Sequence, residues 1–243
     1  MLNYPIKPND PCTNNGCMKH LERVKKIVKW AYDMRFVDRN PFSSFKIRKK
    51  RYNSNILTWE QLSALESREF QRPIYNLVKD LFLFSCYTGM PPVDLQRLRP
   101  HQIYEGRDEV KWLSYTRGKS NITGYVPLLE PALDLIKKYK WKKGQPVRNT
   151  VFPFVTNKDL NNSLKIISEI CEIGVLLNFY VSRHTFASTV TADVQITSKK
   201  IMMAHEKIES TMNYTKTENS IVAKDMAIVQ EKLDNFKKRA INL

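Results

Sequence analysis

The chain has 243 residues, 42% hydrophobic and 11% aromatic, enough apolar material for a folded core and too much for a disordered polymer. Forty Lys and Arg against 24 Asp and Glu leave a net +16 at neutral pH. That imbalance concerns partners rather than fold and points to a polyanion, nucleic acid before an anionic membrane surface. No apolar run approaches the roughly 20 residues of a spanning helix, and Met1 to Asn9 lacks the apolar stretch of a secretion signal. A soluble protein of the cell interior, with no membrane partner, is expected.

Residues 1–16 hold three prolines and read as an extended lead-in. From Cys17, the apolar residues Leu21, Val24, Ile27, Val28 and Ala31 recur at three- and four-residue steps, a helix with Lys25, Lys26 and Lys29 on its other face. The helix should stop near Arg39-Asn40-Pro41, since proline disfavours helix at the preceding residue. A basic run, Lys46 to Arg51, and polar Asn53-Ser54-Asn55 mark a domain boundary, with residues 1–52 a partial helical region and linker and 53–243 a second domain. One helix cannot bury its own apolar face. The first region therefore reads as the end of a domain whose beginning is missing or whose partner lies elsewhere.

The second domain opens at Thr58-Trp59-Glu60-Gln61, a capping box, with helical patterning through Leu65 and again from Tyr75 to Cys86. Val110 to Thr116 and Tyr125 to Leu128 are strand candidates flanking the turn-forming Arg117-Gly118-Lys119-Ser120-Asn121. From Pro131 the pattern is helical again, with breaks expected at Gly144-Gln145-Pro146 and at Asn157 to Asn162. Ile221 to Leu243 forms a basic amphipathic helix whose Met226, Val229, Leu233 and Phe236 pack on its own domain or on a neighbouring protomer. The fold class is mainly α with one small antiparallel β-sheet. Cys12, Cys17, Cys86 and Cys171 are too few and scattered for a disulfide framework. Cys12, Cys17 and His20 lack a second pair of ligands for zinc, so reduced thiols and no metal are expected.

Two neighbourhoods could carry chemistry. In Ser182-Arg183-His184-Thr185-Phe186-Ala187, Arg183 is followed 22 residues later by His205, in Met203-Ala204-His205, and Tyr214 comes nine residues after that. Taken singly, these read as a salt-bridged arginine, a helix-end histidine and a core tyrosine. Taken together they resemble the C-terminal signature of the tyrosine recombinases, the phage and transposon integrases. Upstream landmarks keep the same order: Thr58 to Leu65 is similar to the family's opening helix, and Tyr87-Thr88-Gly89-Met90 with Asp94-Leu95 resembles its first box. Lys119 falls on the hairpin turn that precedes Val126-Pro127-Leu128, and residues 17–45 resemble the last helix of the family's core-binding, SAM-like domain. The resemblance spans about residues 17–215.

It implies a catalytic domain that cleaves and rejoins DNA through a 3′-phosphotyrosyl link on Tyr214, without metal, ATP or other cofactor. A tyrosine must lose its proton, at an ordinary pKa of ~10, as it attacks. Acceleration must then come from cations and donors around the phosphate oxygens. Arg183 supplies a two-pronged donor, His205 donates to the same phosphate, and Lys119 protonates the departing 5′ oxygen. The family's tetramers on paired sites imply double-stranded DNA and further copies of this chain as partners, in a bacterial, nucleoid-associated setting. Lys25, Lys26, Lys29 and the run Arg48, Lys49, Lys50 and Arg51 would contact phosphates, positioning the duplex without reading sequence.

The sequence departs from the family twice. Pro91 stands where the first box has arginine, and Tyr180 stands for the histidine three residues before Arg183. A phenol can still donate to a phosphate; proline cannot, and losing one such donor typically costs about 10²–10³ in rate. Arg97 would lie about 240° round a helix from residue 91. Arg117 shares a strand face with Lys119, two residues on, if the strand extends that far, and is the candidate replacement. Asp94 should orient a neighbour rather than touch DNA. The rival readings are a catalytically weak recombinase-fold DNA-binding protein and, on charge alone, a helical RNA-binding module.

Overall fold

The computed structural model describes residues 5–7, 10–50, 55–107, 109–140, 148–204 and 215–241. The chain forms two compact units, Met1–Asn53 and Ser54–Leu243. It is mainly helical, with one three-stranded antiparallel sheet in the second unit and a two-stranded pairing in the first.

In the first unit, the lead-in is not wholly irregular: β1 (Pro5–Lys7) pairs antiparallel with β2 (Asp10–Pro11). Helix α1 (Asn14–Asp33) starts before Cys17, because Thr13 extends as N-cap and its hydroxyl accepts from the Gly16 N–H at 3.2 Å. It also ends earlier than the Asn40-Pro41 signal suggests. Arg35 turns into the left-handed region at φ 60°, and the Phe36 N–H bonds back to the Ala31 carbonyl at 2.8 Å, which closes the last turn. The following strap is fastened along the helix. Asn15 exchanges two hydrogen bonds with the Lys50 backbone, at 2.9 and 2.8 Å, and the Lys25 ammonium donates to the Phe45 carbonyl at 2.6 Å. One helix and one strap are too little chain to cover the apolar stripe; Val24, Ile27 and Trp30 remain exposed.

The second unit is built around α3 (Pro73–Thr88), buried from Val78 to Thr88 and packed by α5 (Glu130–Lys138), α6 (Asn157–Ile170) and α7 (Phe179–Thr185). Before it, α2 (Trp59–Ser67) carries the capping box expected from Thr58 and Gln61. After it come the short α4 (Pro92–Leu95), a 3₁₀ turn (Pro100–Gln102) and the sheet. β3 (Ile103–Glu105), β4 (Lys111–Thr116) and β5 (Thr123–Pro127) lie in that order, with Leu113 opposite Ile103 on one side and Val126 on the other. β3 has three residues and no buried side chain, too short for a period to register in the sequence.

The break expected at Asn157 to Asn162 is instead the first turns of α6. Thr156 caps it, accepting from the Asp159 N–H at 3.1 Å, while Asn161 and Asn162 face solvent and Leu160, Leu164 and Ile167 face the core. The break expected at Gly144-Gln145-Pro146 lies outside the described residues. Helix α7 runs into a π turn (Phe186–Val190), and α8 (Ile196–Met202) follows. The last helix, α9 (Thr215–Ile241), packs in cis: Val222, Met226, Val229 and Leu233 are buried, and Phe236 meets Trp59 with ring centroids 6.2 Å apart. No helix among the described residues is long and apolar enough to cross a membrane.

Candidate active site

Three elements converge at one end of the second unit. The first is α7, started by Asn178, whose side-chain carbonyl accepts from the Tyr180 and Val181 N–H groups at 2.9 and 3.0 Å. Its inner face is pinned to α3 by the buried pair of hydroxyls Ser182 and Ser85, 2.7 Å apart. Arg183 is thereby turned to the junction of α3 and α8. Its guanidinium donates to the Gly89 carbonyl and, at 3.3 Å, to the Met203 carbonyl. Two fixed carbonyls hold the fork in one plane, a preorganised group rather than a mobile surface arginine. Burial lowers the Arg183 pKa below its ordinary value, and the like charge of Arg117 acts in the same direction. The π turn directly after α7 sits where such insertions commonly mark functional sites.

The second element is the β4–β5 turn. The Arg117 N–H still bonds across to Ile122 at 2.8 Å, but Asn121 bonds back to the Arg117 carbonyl, also at 2.8 Å, and takes φ 56°. The strand alternation therefore stops at Arg117. The shared face expected for Arg117 and Lys119 does not form, and Lys119 projects exposed from the turn. Asp94 orients this turn: its carboxylate accepts from the Gly118 N–H at 3.1 Å. The third element is the end of α8, where Ala204 sits at φ 50°. Its carbonyl accepts from Ser120 at 3.4 Å and from the Arg117 guanidinium at 3.5 Å.

Between these elements lies a cleft of about 740 Å³. Its lining is mixed: Arg117, Arg183, His184, Lys199 and Lys200 are basic, Pro91, Pro92, Phe179, Val194, Ile196 and Met203 are apolar, and Tyr180 and Ala187 complete it. Pro91 and Arg117 thus face the same cavity as Arg183. Arg97 and Arg99 are exposed and do not line it. The Tyr180 ring lies 4.1 Å from the His184 ring, an i, i+4 pair on one helix face. Burial lowers the His184 pKa, with Arg183 beside it acting in the same sense. Lys199 donates to the Ala187 and Ala192 carbonyls at 3.0 and 3.3 Å, serving groups at and just after the π turn. The basic groups of this lining suit an anion with tetrahedral oxygens. Among the described residues, no three His, Cys, Asp or Glu side chains gather to hold a metal ion.

Residues 56–220 match the phage integrase family. The chain belongs to that family, the tyrosine recombinases. It is 22% identical over 214 residues to the tyrosine recombinase XerC of Syntrophus aciditrophicus (strain SB), covering 81% of this chain and 68% of that protein. Its fold is also that of a lambda integrase dimer bound to a COC′ core site, at TM-score 0.54 and 13% identity over 82% of this chain and 56% of that one. XerH bound to its difH substrate in a pre-cleavage complex is similar too, at TM-score 0.51 and 15% identity over 72% of this chain and 53% of that one. The chain thus spans a little over half the length of those two recombinases.

In this tyrosine recombinase the described site contains Arg183, Arg117 and Tyr180 together, with Lys119 on the adjoining turn; His205 and Tyr214 lie outside the described residues. His184, Lys199 and Lys200 were not singled out from the sequence. The spacing of Tyr180 and His184 was a usable signal, since residues four apart share a helix face. Of the cations expected to grip a duplex, Lys25 holds the Phe45 carbonyl, Lys29 pairs with Asp33 at 2.7 Å and Lys49 with Glu22 at 2.7 Å. Lys26, Arg48 and Lys50 have exposed side chains, and Arg51 lies outside the described residues.

Proposed function

We propose that this chain is the integrase of a bacterial mobile element, cutting and rejoining double-stranded DNA at specific sites. The Tyr214 oxygen attacks a phosphodiester and loses its proton. A phosphorus–tyrosine bond forms at the 3′ side, and the bond to the 5′ oxygen breaks. Lys119 gives that oxygen its proton. Reversal by another strand's 5′ hydroxyl reseals the backbone with no cofactor, because the ester conserves the bond energy. Arg183 and His205 hold the phosphate oxygens, Tyr180 donates in place of the family's histidine, and Arg117 supplies the guanidinium that Pro91 cannot. The observation that carries this reading is that Pro91, Arg117 and Arg183 line one cleft. A guanidinium reaching that cleft from the β-turn can serve the same oxygens as one reaching it from position 91.

Lys26, Arg48, Lys50 and Arg51 supply phosphate contacts in this reading, supported by Lys25, Lys29 and Lys49. The chain works as a tetramer on paired sites in the nucleoid. A second reading, a recombinase-fold DNA-binding protein with weak catalysis, is favoured by the loss of a donor at Pro91.

Nicked duplexes from a random-sequence library, which trap the covalent adduct, test both. The wild-type chain should form a protein–DNA adduct and Tyr214→Phe none, while Arg117→Ala should slow adduct formation by about 10²–10³. Wild-type protein that binds the library yet forms no adduct would establish the second reading. Arg117→Ala reacting at the wild-type rate would remove the replacement.

A further inference from the structure

The carbonyls at the end of α8 are taken up by side chains from around the cleft. The Met203 carbonyl accepts from Arg183, and the Ala204 carbonyl from Arg117 and Ser120. One residue earlier, the Met202 carbonyl accepts from the Tyr115 hydroxyl on β4, at 3.0 Å. A helix end leaves such carbonyls without partners of its own, so Tyr115 belongs to the same fastening. It is 1% exposed and does not line the cleft. Its ring lies against Gly124, its partner on β5, where an added Cβ would stand 3.0 Å from the ring and 3.0 Å from the Met202 oxygen. The missing side chain is what lets strand, ring and helix end close up.

A phenol has one O–H to donate. Tyr115 gives it to Met202, and its oxygen accepts from the Arg183 guanidinium. Arg183 is thus held by a buried side chain as well as by the Gly89 and Met203 carbonyls. Phenylalanine would keep the ring and leave both the Met202 oxygen and the guanidinium short of a partner where water does not reach. Arg117 lies two residues further along the same hydrogen-bonded edge, so one strand carries one guanidinium and steadies the other.

Resting on the reading that Arg183 binds the scissile phosphate, we infer that Tyr115 is a positioning residue: without touching DNA, its hydroxyl holds the Arg183 guanidinium in the orientation from which it meets the phosphate oxygens. A group held in place before the phosphate arrives needs no reorganisation as charge develops, so the hold is felt in the rate rather than in duplex affinity.

The test labels the full chain with ¹⁵N-arginine and identifies the Arg183 guanidinium signals by their absence in Arg183→Lys. In the wild type these protons should exchange slowly with water. Tyr115→Phe should speed that exchange about tenfold, the worth of one hydrogen bond to a charged group. It should also slow adduct formation on the nicked duplexes about tenfold at saturating DNA, with duplex affinity as in the wild type. Ile167→Val, a small deletion in the core face of α6 that also lowers stability, should change neither the signals nor the rate. A Tyr115→Phe chain that matches Ile167→Val in both readouts would reduce Tyr115 to packing and overturn the inference. Faster exchange with a wild-type adduct rate would overturn it as well. If the wild type forms no adduct while Tyr115→Phe still frees the Arg183 protons, the strand-transfer reading falls and the hold on Arg183 stands.

Discussion

Gly89 serves two masters at the site. It ends α3 in the left-handed conformation at φ 68°, and its carbonyl receives the Arg183 guanidinium. A Cβ at this position would lie 2.5 Å from the ring of Phe186, which is fully buried and cannot retreat. Gly89→Ala should therefore cost about 2–4 kcal/mol, combining left-handed strain with overpacking. A urea titration would show it, and adduct formation should fall as well because the carbonyl that aims Arg183 moves. A loss within the scatter of surface substitutions would mean the ring has room to shift. Pro91 shows what a residue alone can and cannot tell. That a donor is missing was readable from the sequence. That Arg117 shares its cleft depended on β4 continuing its hydrogen bonding to Arg117 and then turning sharply at Asn121. The same turn took Lys119 off the expected face, since alternation has no meaning beyond the last paired residue.

Elements were legible where a period or a cap is strong. The Thr58 box, the apolar run of α3 and the two longer strands all appear where the local signals put them. Asn157 to Asn162 misled because asparagine favours turns, but here Thr156 supplies the cap and the two central asparagines occupy the solvent face of α6. The choice left open for the last helix was tertiary. Met226, Val229 and Leu233 form an apolar stripe on either account, and it is burial against the unit's own core that decides for cis packing. Met226→Ala should then lower stability by about 2–4 kcal/mol through transfer and cavity terms. The change in melting temperature should be the same at high and low protein concentration. A concentration-dependent shift would place the helix on a neighbouring copy.

At the scale of the whole molecule, the second unit buries charge as well as apolar surface. Lys79 and Asp80 are almost fully enclosed; Lys79 donates to the Arg68 carbonyl at 2.6 Å, and Asp80 accepts from Tyr139 at 2.8 Å and pairs with Lys138 at 2.7 Å. Burial, with the bond to Asp80 adding to it, raises the Tyr139 pKa far above its ordinary value. A raised pKa means the folded state holds the phenol proton more tightly than the unfolded state. The contribution is complete below the unfolded tyrosine value of about 10 and is lost as pH rises beyond it. Stability measured by denaturant titration should fall above that pH, and Tyr139→Phe should make the fall shallower; an unchanged slope would discount this group. Composition and local pattern alone determined the helical class and the small sheet, and the charge balance pointed toward a polyanion, because charge, periodicity and caps act over a few residues. The shared order of the motifs in the chain pointed to the family. Only the tertiary structure decided that Arg117 and Arg183 line one cleft, that α9 packs at home and that α1 keeps an uncovered stripe. Each of those depends on contacts between residues far apart in the chain, and a local period carries no information about them.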